Sequence, residues 1–187
     1  MSQTFELETS ELRRAIPHMR IGDRVILSGT VYTARDEAHQ EFFRLLDAGE
    51  RLPFDMKDAV IYYAGPTPGQ NGRPVGSCGP TTSSRMDAFA PRLLDLGLAC
   101  MIGKGGRNDE VKDAVVRNGA VYLCAVGGAG ALIAGCIKSA EVIAFPELGC
   151  EAVRRLYVEK LPLTVGIDST GGDIFAQARE KYAVEAK

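Results

Sequence analysis

The chain has 187 residues, 45% of them hydrophobic and 25% charged, with a formal net charge of −2. That length buries a core without disulfide or metal staples, and the composition is that of an ordinary globular domain rather than a disordered tail. A balance so near neutral gives no electrostatic reason to expect nucleic acid or an anionic membrane as partner, and a length not far above ~150 suggests one domain.

Five cysteines, Cys78, Cys100, Cys124, Cys136 and Cys150, form no C-x-x-C pair. Local zinc-finger or ferredoxin spacing is therefore missing, and a reducing cytoplasm without disulfides is expected. The start carries no apolar signal core, and no run approaches the roughly 20 apolar residues of a membrane span.

In chain order, residues 1–10 read as an N-terminal arm. TSELRRAI is a short helix with Thr9 or Ser10 as its cap, stopped by Pro17. The β-branched stretch 24–33 predicts a strand. RDEAHQEFFRLLDAGE places Ala38, Phe42, Leu45 and Leu46 at helical spacing between Asp36 and Gly49. AVIYYA, 59–64, predicts a buried strand. Residues 65–85 are too dense in Gly and Pro for any regular element, and a loop that long in a compact domain is usually functional or disordered.

A helix over 83–96 follows, restarted at Pro91. Then come a strand at 98–103, the glycine loop GKGGRN, and a helix capped by Asn108 and closed at Asn118-Gly119. AVYLCAV predicts a strand, GGAGALIAGCI a small-residue helix, and EVIAF a strand. VRRLYVEKLPLTVGID reads as two strands meeting near Leu161-Pro162, and residues 176–187 as a polar helix or tail. The βαβαβ alternation in the middle predicts a single α/β domain over 1–187, three-layered, with a partly parallel central sheet.

Familiar chemical motifs fail. The third glycine of G-x-G-x-x-G is Ile133, and Gly97 lies one residue too far from Gly103-Lys104 for a phosphate loop. The only histidines, His18 and His39, are not spaced as metal ligands. What remains is a set of cations and hydroxyls on βα connections, where parallel-sheet proteins place ligands: Arg35, Arg85 and Lys104, with Thr81, Thr82, Ser83 and Ser84 at a helix entrance. Two Arg and one Lys among glycines suit a small dianion, because the guanidinium fork matches a carboxylate. Taken singly, each cation is more often a solvated surface residue, GPTT a turn with a helix cap, Cys78 a loop filler and His39 a helix-face histidine.

Six segments occur in order: LSGTVYTARDEAH (27–39), AVIYYAGP (59–66), GPTTSSRMD (79–87), MIGKGGR (101–107), YLCAVGGAGAL (122–132) and AFPELGCEAV (144–153). Together, from about Glu11 to Phe175, they resemble the β-subunit or C-terminal domain of class I iron–sulfur fumarases and the related L-tartrate dehydratases. The resemblance implies a swivelling β/β/α domain and reversible hydration of fumarate to (S)-malate. It implies a [4Fe–4S] cluster held by a separate α-subunit, with one iron as Lewis acid and none of the metal bound by this chain. By position it makes Arg35, Arg85 and Lys104 the holders of the substrate carboxylates and Thr81 a catalytic residue that transfers a proton or orients the substrate. It puts His39, Thr82 and Asp36 behind them.

The expected assembly is an α/β heteromer, inactive as β alone, with a homodimer as the form of the isolated chain, in the cytoplasm. A tartrate or other 2-hydroxydiacid hydro-lyase subunit, a non-catalytic anion-binding module, and an enzyme built on the Cys78 thiol are the alternatives.

Overall fold

The computed structural model describes residues 2–183. Seven strands make one mixed sheet: β1 (Thr4–Glu8), β2 (Arg24–Thr33), β3 (Val60–Tyr62), β4 (Cys100–Gly103), β5 (Val121–Cys124), β6 (Ile137–Ala144) and β7 (Val153–Ile167). Among the described residues six α-helices accompany them: α1 (Leu12–Ala15), α2 (Asp36–Asp47), α3 (Ala90–Asp95), α4 (Asp109–Arg117), α5 (Gly130–Cys136) and α6 (Ile174–Tyr182).

The first correction concerns the N-terminus. Residues 4–8 are not an arm but strand β1, paired in parallel with β2 from Thr4↔Arg24 to Glu8↔Ser28. TFELE exposes every second side chain along this edge, so Glu6 and Glu8 give it the look of a polar tail. The second correction concerns the C-terminal half. The predicted pair of strands at 153–168 is one strand, β7, that runs antiparallel along all of β2. The break read at Leu161-Pro162 is a bulge: Leu27 faces Leu161 and Gly29 faces Val158, so Glu159 and Lys160 together oppose Ser28, with Lys160 at φ 53. Strand β6 also starts four residues before the predicted EVIAF, at Ile137.

Strands β2, β3, β4 and β5 are mutually parallel, as the βαβ alternation requires. Because β7 pairs with both β5 and β2, the five strands β2, β3, β4, β5 and β7 close into a ring. Alternate side chains of β3–β5 therefore serve two cores. Val60, Tyr62, Ile102 and Leu123 pack inward against Leu27, Leu156 and Val165 of the antiparallel pair. Ile61, Tyr63, Met101 and Tyr122 face outward onto Phe42 of α2, Leu93 and Leu94 of α3, and Val111 and Val115 of α4. Strands buried on both faces explain why AVIYYA and LACMIG read as unbroken apolar runs. Each buried Leu, Ile or Val contributes roughly 1.5–3 kcal/mol, which two sheet faces multiply.

Of the expected caps, Asn108 is present; Thr9 and Ser10 lie inside a 3-10 turn, with Glu11 at the start of α1, and Arg35 rather than Asp36 stands at the start of α2, without a side-chain cap bond. Asn108 accepts a hydrogen bond from the Val111 amide at 2.9 Å, starting α4 directly after the glycine loop. Pro91 sits in the first turn of α3, so the helix predicted over 83–96 splits into a 3-10 turn, Ser83–Met86, and α3. Among the described residues no helix is long and apolar enough to cross a membrane.

Candidate functional site

Parallel strands deliver their C-terminal loops to one edge. Thr33 pairs with Tyr62, and Tyr62 with Ile102, so the residues that follow β2, β3 and β4 emerge side by side. Arg35 and Asp36 follow β2, and Lys104 follows β4. The long loop after β3 folds back to the same place. The Thr81 amide donates to the Tyr63 carbonyl at 2.7 Å, the Ser83 amide donates to the Lys104 carbonyl at 3.0 Å, and Thr82 bridges to Lys104 in parallel register. The residues predicted from sequence at Arg35, Asp36, Thr81, Thr82, Arg85 and Lys104 therefore share one rim of the sheet.

This convergence depends on Gly103. A Cβ there would lie 1.9 Å from Ser83 Oγ, so only glycine lets the GPTT loop close onto β4. Ser83 is fully buried; its Oγ accepts from the Lys104 amide at 3.0 Å and from the Tyr122 hydroxyl at 2.9 Å. Ser83 thus pins the backbone on either side of Lys104, and its hydroxyl is part of the scaffold rather than an open donor.

The three cations differ in their surroundings. Arg35 is mostly buried; its NH2 lies 3.1 Å from Glu151 Oε1, and its Nε is buried with no partner among the described residues. Arg85 is half exposed and reaches back to Asp36, with Nε on Oδ1 at 2.9 Å and NH2 on Oδ2 at 2.9 Å. Lys104 makes no ion pair among the described residues, and its chain lies against the glycine loop at Gly127, where a Cβ would sit 3.4 Å from Lys104 Cδ. Two of the cations are thus oriented by carboxylates and one is uncommitted.

His39 lies behind Arg35. Its Nδ1 is 2.7 Å from the Arg35 carbonyl oxygen, which can only accept, so Nδ1 carries the proton. The ring is fully buried among Phe42, Tyr63 and Phe89, and that desolvation lowers its pKa to about 4. The side chain is neutral at pH 7, and it fixes the turn that carries Arg35.

Sequence reasoning passed over three elements. Glu151 comes from the 3-10 turn Pro146–Glu151 before β7, and its Oε2 accepts the Glu37 amide at 3.0 Å while Oε1 meets Arg35. Arg107 is buried with Asp87 as partner, and its guanidinium stands 5.3 Å from the Tyr63 ring centroid and 5.2 Å from that of Tyr122. Asp87 also accepts from the Asn108 amide at 2.8 Å, so RMD and GKGGRN are tied together beneath the rim.

The thiols do not gather. Cys78 and Cys100 lie wholly in the core, Cys124 and Cys136 are partly covered, and Cys150 is exposed. Burial pushes the Cys78 thiol up to about 12, so it is protonated and unreactive, against the reading of a Cys78 enzyme. Among the described residues no three of His, Cys, Asp and Glu converge to hold a metal ion, and these side chains do not fit an iron–sulfur cluster.

A family model described as "Fumarase C-terminus" matches residues 1–178. The chain belongs to the fumarase C-terminal family. It is 40% identical over 173 residues to the anaerobic class I fumarate hydratase of Escherichia coli, covering 91% of this chain and 32% of that protein. It is 39% identical over 169 residues to fumarate hydratase 2 of Leishmania major, 89% of this chain and 30% of that one. Against a putative L(+)-tartrate dehydratase subunit beta of Methanocaldococcus jannaschii it is 37% identical over 187 residues, 97% of this chain and 94% of that protein. The chain thus spans about a third of the length of the fumarate hydratases it matches, and nearly all of the tartrate dehydratase subunit. The family's members named here are hydro-lyases or their subunits.

Proposed function

We propose that this chain is the β-subunit of a two-chain class I fumarase that reversibly hydrates fumarate to (S)-malate. The observation that carries the reading is the rim itself: Arg35, Arg85 and Lys104, from three separate strand connections, brought to one edge with Lys104 uncommitted. A dicarboxylate needs cations at both ends, and this edge supplies them.

In this reading Arg35 and Arg85 hold the substrate carboxylates through charge-assisted hydrogen bonds, and Lys104 adds charge where an aci-carboxylate develops, which lowers the barrier. Thr81, whose amide is fixed to Tyr63, sets its hydroxyl toward the substrate to orient it or pass a proton. An unperturbed threonine is a weak base, so the principal base belongs to the partner. His39, Thr82 and Asp36 hold the clamp in place. The [4Fe–4S] cluster is assigned to the α-type partner, since the thiols here do not fit it. The domain swivels as a body onto that partner, closing the rim and excluding water. The compartment is the cytoplasm, where five unpaired thiols remain reduced.

A second reading has one specific support. The match to the putative tartrate dehydratase subunit beta runs over 97% of this chain and 94% of that protein, whereas the fumarate hydratases are matched over only about a third of their length. The same clamp would hold tartrate, with the extra hydroxyl recognised on the α side. Anaerobic mixing with the α-type chain, followed by assay on fumarate and on L-tartrate, separates the two. Faster turnover of fumarate supports the first reading, faster turnover of tartrate the second, and turnover of neither contradicts both.

A further inference from the structure

We propose that Glu151 is a positioning residue for the substrate-binding arginine Arg35, setting the angle of its guanidinium before substrate arrives; the inference rests on the clamp reading above. Both carboxylate oxygens of Glu151 are engaged. Oε2 accepts the Glu37 amide at 3.0 Å in the first turn of α2, and Oε1 faces Arg35 NH2 at 3.1 Å. The carboxylate cannot simply follow the arginine, because its other oxygen is tied to the start of the helix that Arg35 caps.

The segment carrying Glu151 is itself fixed. The Arg154 guanidinium donates to the carbonyls of Gly149, Cys150 and Ala152, closing the turn around Glu151. Arg35 also lies against Gly65, where a Cβ would fall 2.8 Å from NH1 and 3.1 Å from the Cys150 carbonyl oxygen. The guanidinium therefore sits in a slot bordered by Gly65 and the turn that carries Glu151. The Arg35 and Glu151 side chains are only 20% and 15% exposed, so this pair is less screened than a surface pair. A long, flexible arginine gains most from such a slot, since holding one rotamer in advance removes an ordering cost from binding.

The test uses the assembled α–β enzyme and a double-mutant cycle of Glu151→Ala and Arg35→Ala, with Glu151→Gln as the conservative variant. Glu151→Ala is expected to raise KM about tenfold with a smaller change in kcat. Glu151→Gln keeps one acceptor oxygen, which can serve Arg35 or the Glu37 amide but not both because its NH2 group only donates, so KM should fall between the Glu151→Ala and wild-type values. On the Arg35→Ala background, Glu151→Ala should change KM less than twofold, because the residue it positions is gone. Independent, additive effects of the two alanine variants, or a wild-type KM in Glu151→Ala, would overturn the inference while leaving the clamp reading intact. A wild-type assembly inactive on both diacids overturns the clamp reading and this inference with it.

Discussion

Arg85 and Asp36, 49 positions apart, meet edge to edge: Nε donates to Oδ1 and NH2 faces Oδ2, both at 2.9 Å. An arginine has five donors, so this pairing uses one side of the fork and leaves the NH1 side for a second carboxylate. Asp36 thus orients Arg85 without using it up. In the assembled enzyme, Arg85→Ala is expected to raise KM and lower kcat, at least ~100-fold in kcat/KM, and Arg85→Lys should recover little, since a point charge cannot serve two carboxylates in that plane. Steady-state kinetics on both variants checks this, and their melting temperatures should move little because the pair is half exposed.

Arg107 behaves differently because it is buried beneath the rim. Removing its partner in Asp87→Ala leaves a buried cation without its carboxylate and frees the Asn108 amide. Breaking a buried pair in this way costs about 3–5 kcal/mol, which for a domain of this size is a fall in melting temperature on the order of 10 °C. Thermal unfolding of the isolated chain measures it, and no partner subunit is needed.

His39 makes stability depend on pH with a definite sign. Its folded pKa, about 4, lies below the usual 6.5, so between these values the unfolded chain binds a proton that the folded chain does not. The stabilisation is full above about pH 6.5 and is lost as pH falls toward 4, an effect on the order of 3 kcal/mol. The His39→Gln variant should lose this part of the pH dependence. Urea unfolding of both proteins at pH 7.5, 6 and 5 reads the difference in slope, and equal slopes would contradict the burial of a neutral imidazole.

The cysteines give a chemical footprint. Brief alkylation of the native chain at neutral pH should modify Cys150 first and spare Cys78 and Cys100, as read by mass spectrometry. Cys78→Ala should keep α-dependent activity within about threefold.

Much of the rim was legible because parallel strands enforce it. Arg35 and Lys104 read as residues of βα connections, which a parallel sheet brings to one edge, and Asn108 marked the following helix; that β2 itself joins the parallel strands came only from the structure. Glu151 was not legible. It arrives from 114 residues beyond Glu37, through β7 lying antiparallel on β2 so that Arg154 faces Thr33. The sequence signal at Leu161-Pro162 was real, yet it marked a bulge within one strand, since the ladder resumes on the far side. β1 was hidden because an edge strand with one solvated face and Glu at alternate positions has the composition of a tail.

The most direct measurement is an anaerobic titration of the α-type partner with increasing amounts of this chain, following fumarate hydration. Wild-type chain should raise the rate to a plateau, and a chain carrying Arg35→Ala, Arg85→Ala and Lys104→Ala should bind the partner equally well and restore less than about 1% of that plateau. A triple variant as effective as wild type, or a wild-type chain that restores no hydration, would contradict the account.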